Sequence, residues 1–284
     1  MPLPEDFDAA EFVRQVLAED LGSGGDVTSN ATIDADARFT AEMTCRQAIV
    51  VAGLDLAAAF FRALDPHVAI EQLVKDGDRV QHGTVLMRLS GNARAMLAAE
   101  RSALNTLQHL SGIATLTRSY VDAIAGTLAT LIDTRKTLPG LRILEKYAVR
   151  MGGAENHRMR LDDGVLIKDN HVAVCGGVAE AVRKAKAANT GLQVQVEVDR
   201  IDQIEPALAA GADRLLLDNM DPAKLREAVA LVAGRVPLEA SGGVTLETIR
   251  FLAETGVNFI SVGRITQSAP AVDIGLDYSL ASAN

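Results

Sequence analysis

The sequence predicts an α/β fold. Its second half reads as a parallel α/β barrel with fewer than the full eight strands, and a doubly wound open sheet is the alternative. Three observations carry this reading. Six apolar β-runs alternate with amphipathic helices, the pattern of a parallel sheet covered by helices. Each run ends in polar residues, and barrel enzymes build their sites at the carboxyl ends of strands. The stretch Arg135–His171 holds eight Lys or Arg against five acids, an excess of three, although the 284-residue chain carries a formal charge of −9. A local basic cluster in an acidic protein suits small anions. Nucleic acid would favour an extended basic face.

Up to about Gly112 the texture is mixed. The acidic, proline-broken opening MPLPEDFDAAEF has neither the charge nor the apolar core of a targeting peptide. RFTAEMTCRQAIVVAG reads as extended chain turning at Gly53, and DLAAAFFRALD as an amphipathic helix ending before Pro66. HVAIEQLVKDGDRVQHGTVLMRLSG reads as short strands separated by DG, HG and SG turns. NARAMLAAERSALNTLQHLSGIATLTRSYVDAIAG reads as a long helix with a potential break at Gly112.

Beyond it the strand candidates are TLIDT, VLIKD, VQVEV, RLLLD, PLEAS and FISVG. Between them LRILEKYAVRM, VAEAVRKAKAA, IDQIEPALAA, PAKLREAVALVA and TLETIRFLAE read as helices. Arg142, Lys146 and Arg150 share one helix face, which reads as solvated charge.

Composition narrows the function classes. With 4% aromatic residues and no Trp, the chain offers no stacking platform for single-stranded nucleic acid. No apolar run reaches the roughly 18 residues of a membrane span. Cys45 and Cys175 lack metal or redox spacing and read as free thiols of a cytoplasmic protein.

At the strand ends Arg135, Arg158 and Lys168 are the natural carboxylate binders, because a planar guanidinium grips a carboxylate through two hydrogen bonds. Glu197 and Asp218 end neighbouring runs and can share a divalent cation such as Mg2+ through water. Ser241, Gly242 and Gly243, and then Ser261, Val262 and Gly263, form two late glycine loops. Such loops let backbone N–H groups approach a phosphate. His157 and His171 lack zinc spacing and read as hydrogen-bonding members of the anion site.

These motifs together resemble the quinolinate phosphoribosyltransferase family. The resemblance spans nearly the whole chain, through EDLGSGGDVTS, ERSALNTLQHLSGIAT, DTRKTLPGLR, GGAENHRMRLDDGVLIKDNH, VEVD, LLLDN, EASGG and SVG. It implies an amino-terminal α/β sandwich (1–112) and an incomplete, TIM-like α/β barrel (113–267), with the tail at about 268–284 packing back on the sandwich. It also implies a magnesium-dependent reaction of quinolinate with 5-phosphoribosyl-1-pyrophosphate, giving nicotinate mononucleotide, pyrophosphate and carbon dioxide for NAD biosynthesis. The implied assembly is a homodimer or a higher oligomer of dimers, with no nucleic-acid or membrane partner.

Residue by residue, the resemblance gives Arg135, His157, Arg158 and Lys168 to quinolinate. Arg101 would reach the same ligand in the partner subunit, and Thr134 would line the site. Lys136, Glu197 and Asp218 would serve phosphoribosyl pyrophosphate and magnesium and carry the catalytic roles. Ser241, Gly242, Gly243, Val262 and Gly263 would cradle the 5-phosphate. The chain departs from the family pattern in SVGRITQS, where Arg264 and Gln267 replace a small residue and a His or Lys. Arg264 would strengthen the phosphate contact, whereas Gln267 removes a basic one. Two other readings stay open: a related phosphoribosyltransferase-like protein with another substrate, such as the molybdenum-transport-associated homologues, and a non-enzymatic anion-binding protein. The ENHR and KDNH blocks favour the quinolinate enzyme.

Overall fold

A sheet with one apolar face and a sheet of apolar parallel strands must be buried in different ways, and the chain forms one unit around each. The computed structural model describes residues 3, 4 and 7–279. One unit takes the chain up to Leu116, together with Ile143–Gly153 and the residues from Ser268 onward; the other takes Thr117–Arg142 and Ala154–Gln267.

The first unit is built on a four-stranded antiparallel sheet. Its order is Ile274–Ser279, Arg38–Cys45, Val85–Asn92 and Ala69–Gln72. Alternation along Arg38–Cys45 buries Ala41, Met43 and Cys45 on one face, as the two-residue period of a half-buried strand requires. The helices Ala9–Leu21 and Leu54–Leu64 pack together, with Phe12 edge-on to Phe60 at 6.2 Å. The strand Ile274–Ser279 brings the tail back to Arg38–Cys45; residues 280–284 lie outside the described residues.

The helix read with a potential break at Gly112 runs without interruption from Ala93 to Ala123. Gly112 serves close approach instead: a Cβ there would stand 2.2 Å from the Pro270 carbonyl oxygen. A second expectation also changes. The helix Arg142–Met151 is not a solvated basic face, because Lys146 is only 1% exposed and Glu145 is fully buried, 2.9 Å from His109. Tyr147 in the same helix donates to Asp76 Oδ2 at 2.6 Å. Asp76 also accepts the backbone N–H groups of Gly53 and Leu54, so it caps the helix Leu54–Leu64 from a distance in sequence.

The second unit contains the six parallel strands read from the sequence: Thr130–Ile132, Val165–Ile167, Val194–Val198, Arg214–Asp218, Leu238–Ser241 and Phe259–Ser261. Across the sheet, the strand beginning at Thr130 neighbours that beginning at Phe259, and the order then descends through Leu238, Arg214 and Val194 to Val165. This is a cyclic order without the reversal of a doubly wound sheet. It is the order of a barrel. Beyond Thr130–Ile132 the backbone of Glu155 adds a parallel bridge to Ile132. No pairing between that segment and Val165–Ile167 is present among the described residues, so the barrel is incomplete. Val196, Leu215, Leu217 and Ile260 pack at 0% exposure, and the ladder lines up all six carboxyl ends on one rim.

Candidate active site

The rim begins at Asp133, which follows the strand Thr130–Ile132 and is wholly buried. Its carboxylate accepts from Asn156 Nδ2 at 2.6 Å and from the His157 N–H at 2.8 Å. This ties the ENHR segment to the end of the first barrel strand and places Arg158 on the same rim as Arg135. The Arg158 guanidinium is made less basic first by burial and then by the charge of Arg135. Two guanidinium groups held against their mutual repulsion favour a negative charge beside them. Arg158 donates through Nη1 to the Gly164 carbonyl at 2.9 Å, and the buried Nε of Arg135 finds no acceptor among the described residues.

Thr134, Lys136 and Gly263 meet where the first and last barrel strands pair. Thr134 Oγ1 accepts from the Lys136 N–H at 3.0 Å, and Thr266 Oγ1 donates to the Lys136 carbonyl at 2.7 Å. A Cβ at Gly263 would lie 2.7 Å from Lys136 Cδ, so the glycine makes room for that lysine. Val262 is buried and holds the ladder, with its N–H on the Ile132 carbonyl. Arg264, exposed at the start of Arg264–Gln267, lies beside the Tyr120 hydroxyl and the Glu247 carboxylate. Its charge therefore has protein partners at this rim as well as any phosphate.

Next along the rim, Ser241 precedes two glycines with left-handed backbones, φ +98° at Gly242 and +59° at Gly243. A Cβ at Gly242 would fall 2.2 Å from Asn219 Oδ1. Asn219 is itself left-handed at φ +53° and donates through Nδ2 to Asp218 Oδ2 at 2.6 Å. The glycine loop and the acidic strand end are thus fitted to one another.

Glu197 and Asp218 stand on adjacent strands. Burial pushes the Glu197 carboxyl up, and the charge of Asp218 adds to it. Burial also pushes Asp218 up, against the hydrogen bond from Asn219 and the charge of Lys168. Lys168 counters both acids, while Asp169 and Asp199 raise both. His171 Nδ1 accepts the Lys168 N–H at 2.9 Å, so this histidine shapes the KDNH turn. Arg101 lies exposed on the helix Ala93–Ala123 of the first unit, next to Glu100, whose carboxyl is pushed up by burial.

Beneath the rim lies a polar array that the sequence reading missed. His157 Nε2 is 3.1 Å from Gln195 Oε1 and 3.5 Å from Glu239 Oε2. Gln195 Nε2 donates to Glu239 Oε2 at 2.7 Å. Arg214 forms an ion pair with the same carboxylate at 2.7 Å and stacks over Phe259, 3.9 Å from the ring centroid. Glu239 is 1% exposed. Burial pushes its carboxyl up, but His157 and Arg214 outweigh burial and hold it below the usual range. One signal was available in the sequence. Period two places Gln195 on the face of Glu197, Glu239 on that of Ser241, and Arg214 on that of Asp218.

Fold and rim together define an incomplete α/β barrel whose strand ends carry paired guanidinium groups, a glycine loop and two half-buried carboxyls. Two family models match the chain: the quinolinate phosphoribosyl transferase amino-terminal domain over residues 26–111 and the carboxyl-terminal domain over residues 113–277. A nicotinate-nucleotide pyrophosphorylase (carboxylating) of Mycobacterium leprae is 45% identical over 281 residues, covering 96% of this chain and 98% of that protein. A probable enzyme of the same name from Bacillus subtilis is 43% identical over 273 residues, covering 96% and 94%. The crystal structure of nicotinate-nucleotide pyrophosphorylase from Ehrlichia chaffeensis superposes with a TM-score of 0.93 at 39% identity, covering 96% of this chain and all of that one. The chain belongs to the quinolinate phosphoribosyl transferase family.

Proposed function

We propose that this chain transfers the phosphoribosyl group of 5-phosphoribosyl-1-pyrophosphate to quinolinate with loss of carbon dioxide, forming nicotinate mononucleotide and pyrophosphate for NAD biosynthesis. The observation that carries this reading is one rim holding three kinds of group in sequence around the barrel. The paired Arg135 and Arg158 suit a dicarboxylate. The buried Glu197 and Asp218 suit a cation with a ribose. The left-handed Gly242 and Gly243 suit a phosphate.

In this reading Arg135, Arg158, Lys168 and the His157 segment hold quinolinate, and Thr134 lines the site. Ser241, Gly242, Gly243, Val262 and Gly263 hold the 5-phosphate with backbone N–H groups, and Arg264 adds charge there. Lys136, beside Gly263, offsets negative charge that develops on departing pyrophosphate. Glu197 and Asp218 face the positive charge that develops on the ribose as the pyridine nitrogen attacks its anomeric carbon. The ribosylated nitrogen is cationic, so the ring accepts the electron pair released with carbon dioxide and requires no separate electron sink.

Glu197 and Asp218 also fit Mg2+. Both carboxyls are raised by burial, a cost that a cation relieves. Among the described residues no three acidic, His or Cys side chains gather to enclose a metal unaided, which suits a site completed by water and substrate oxygens. When bound, the ion supplies charge neutralisation to the pyrophosphate. The proposal extends to a cytoplasmic homodimer, or a larger assembly of such dimers, in which Arg101 completes the partner's quinolinate site. No helix among the described residues is long and apolar enough to cross a membrane.

The test is incubation with quinolinate, phosphoribosyl pyrophosphate and Mg2+, following nicotinate mononucleotide and carbon dioxide against a metal-free control. Turnover of nicotinate instead, without carbon dioxide release, would identify the related enzyme class. Absence of any turnover would leave an anion-binding protein.

A further inference from the structure

His157 sits between the rim and the buried array, with a hydrogen-bond partner at each ring nitrogen. Both groups facing Nε2, Gln195 Oε1 at 3.1 Å and Glu239 Oε2 at 3.5 Å, are acceptors. On the other side, Nδ1 lies 2.7 Å from the Arg158 backbone N–H, which can only donate. Neutral imidazole satisfies both sides in one tautomer alone, with the proton on Nε2 and the lone pair on Nδ1.

The amide of Gln195 is oriented by the same logic. Its Nε2 must face Glu239 Oε2, because an ionised carboxylate only accepts. Its Oε1 is therefore turned to His157. Glu239 is held ionised in the barrel interior by Arg214, whose guanidinium is fixed over Phe259. Donation thus runs in one direction from the peptide N–H of Arg158 through His157 and Gln195 to Glu239, which accepts from Arg214 on its other side.

We infer that Gln195 and Glu239 are positioning residues: they fix the tautomer of His157 and, through its Nδ1, the backbone of Arg158, so that the Arg158 guanidinium is presented to the substrate carboxylate. The inference rests on the proposed quinolinate site only for which ligand feels the effect. The tautomer itself does not depend on that reading.

The first test uses the unaltered protein. Long-range 1H–15N spectra at neutral pH should show a pyrrole-type Nε2 and a pyridine-type Nδ1 for His157, assigned by the signals missing in His157→Gln. An Nδ1–H tautomer or an imidazolium overturns the inference whatever the protein catalyses.

The second test uses Glu239→Gln and Gln195→Met. Glu239→Gln keeps the shape but no longer compels the Gln195 amide to one orientation, so His157 should populate both tautomers. KM for quinolinate should rise about tenfold, the equivalent of one hydrogen bond, while KM for phosphoribosyl pyrophosphate stays within about twofold. Adding Arg158→Ala to Glu239→Gln should cost little beyond Arg158→Ala alone, since both act on one contact. Equal changes in both KM values, or additive losses in the double variant, mark a merely structural role and overturn the inference. If the unaltered protein does not use quinolinate, the proposed function fails and the spectra still decide the tautomer.

Discussion

Arg158 stands beside Arg135, and neither burial nor the neighbouring guanidinium favours its charge. The pair is held together by Asp133, which anchors the His157 N–H and the Asn156 amide to the end of the strand carrying Arg135. A dicarboxylate relieves both the repulsion and the desolvation. Arg135→Ala and Arg158→Ala should each weaken quinolinate binding about ten- to a hundredfold, the range for losing a charge-assisted hydrogen bond. Binding of phosphoribosyl pyrophosphate should be nearly unaffected. Calorimetric titration of both ligands checks this, and equal losses for the two would sink the assignment.

Glu197 and Asp218 give the opposite electrostatic signature. Their carboxyls titrate above the usual carboxylate range in the folded protein, so the folded state binds more protons than the unfolded one across that window. Stability of the ligand-free protein therefore falls as pH rises from the ordinary carboxylate value through the raised one. Asp218→Asn should remove part of this penalty and raise the thermal midpoint at neutral pH, while abolishing turnover. Thermal melts of both proteins across the acidic range, with and without Mg2+, provide the check; a lower midpoint for Asp218→Asn at neutral pH contradicts the argument.

The main barrel elements and most rim residues were legible because the barrel repeats one pattern, an apolar run, a polar end and a helix. The polar ends of the apolar runs placed Arg135, Lys168, Glu197 and Asp218 at strand ends. What was not legible is what repeats do not encode. Gln195, Arg214 and Glu239 lie within apolar runs and meet only when separate strands come side by side. Gly112 looked like a helix break because its use depends on Pro270, 158 positions away in the chain. Burial of Lys146 was hidden for a similar reason, since Ile143–Gly153 belongs to the first unit although its sequence neighbours form the second.

Gly242 and Asn219 are fitted so closely that one methyl group should disrupt them. Gly242→Ala combines a backbone at φ +98° with a contact at 2.2 Å to Asn219 Oδ1. The cost should be about 1–3 kcal/mol of unfolding free energy. It should come with a raised KM for phosphoribosyl pyrophosphate. Adding Asn219→Gly removes the side-chain clash but leaves the residue 219 backbone nitrogen 3.0 Å from the new Cβ and the backbone strain at 242, so stability should recover only in part. Urea unfolding of the two variants separates these terms, and complete recovery would show that strain at Gly242 is negligible.

In the first unit Asp76 joins the helix Leu54–Leu64 to Tyr147. Burial and this carboxylate both push the Tyr147 phenol up, so it remains a donor at any working pH. Tyr147→Phe removes one hydrogen bond to a charged group and should cost about 1–2 kcal/mol. Asp76→Ala also uncaps the helix and should cost about 3 kcal/mol. Chemical denaturation gives both numbers, and the order of the two variants is the test.

The proposed contribution of Arg101 to the partner's site makes a prediction that no single-site loss of function can imitate. At quinolinate concentrations well below KM, Arg101→Ala and Arg158→Ala should each retain only about a tenth to a hundredth of unaltered activity alone. In a mixed dimer, the subunit that retains Arg158 receives an intact Arg101 from its partner, while the other site carries both defects. Random reassortment makes half the dimers mixed, and each has one working site of two. Mixing equal amounts after dissociation should therefore recover about a quarter of unaltered activity. If Arg101 instead serves its own subunit, every site in every mixture carries one defect and no activity returns. Activity measured before and after reassortment distinguishes the two arrangements.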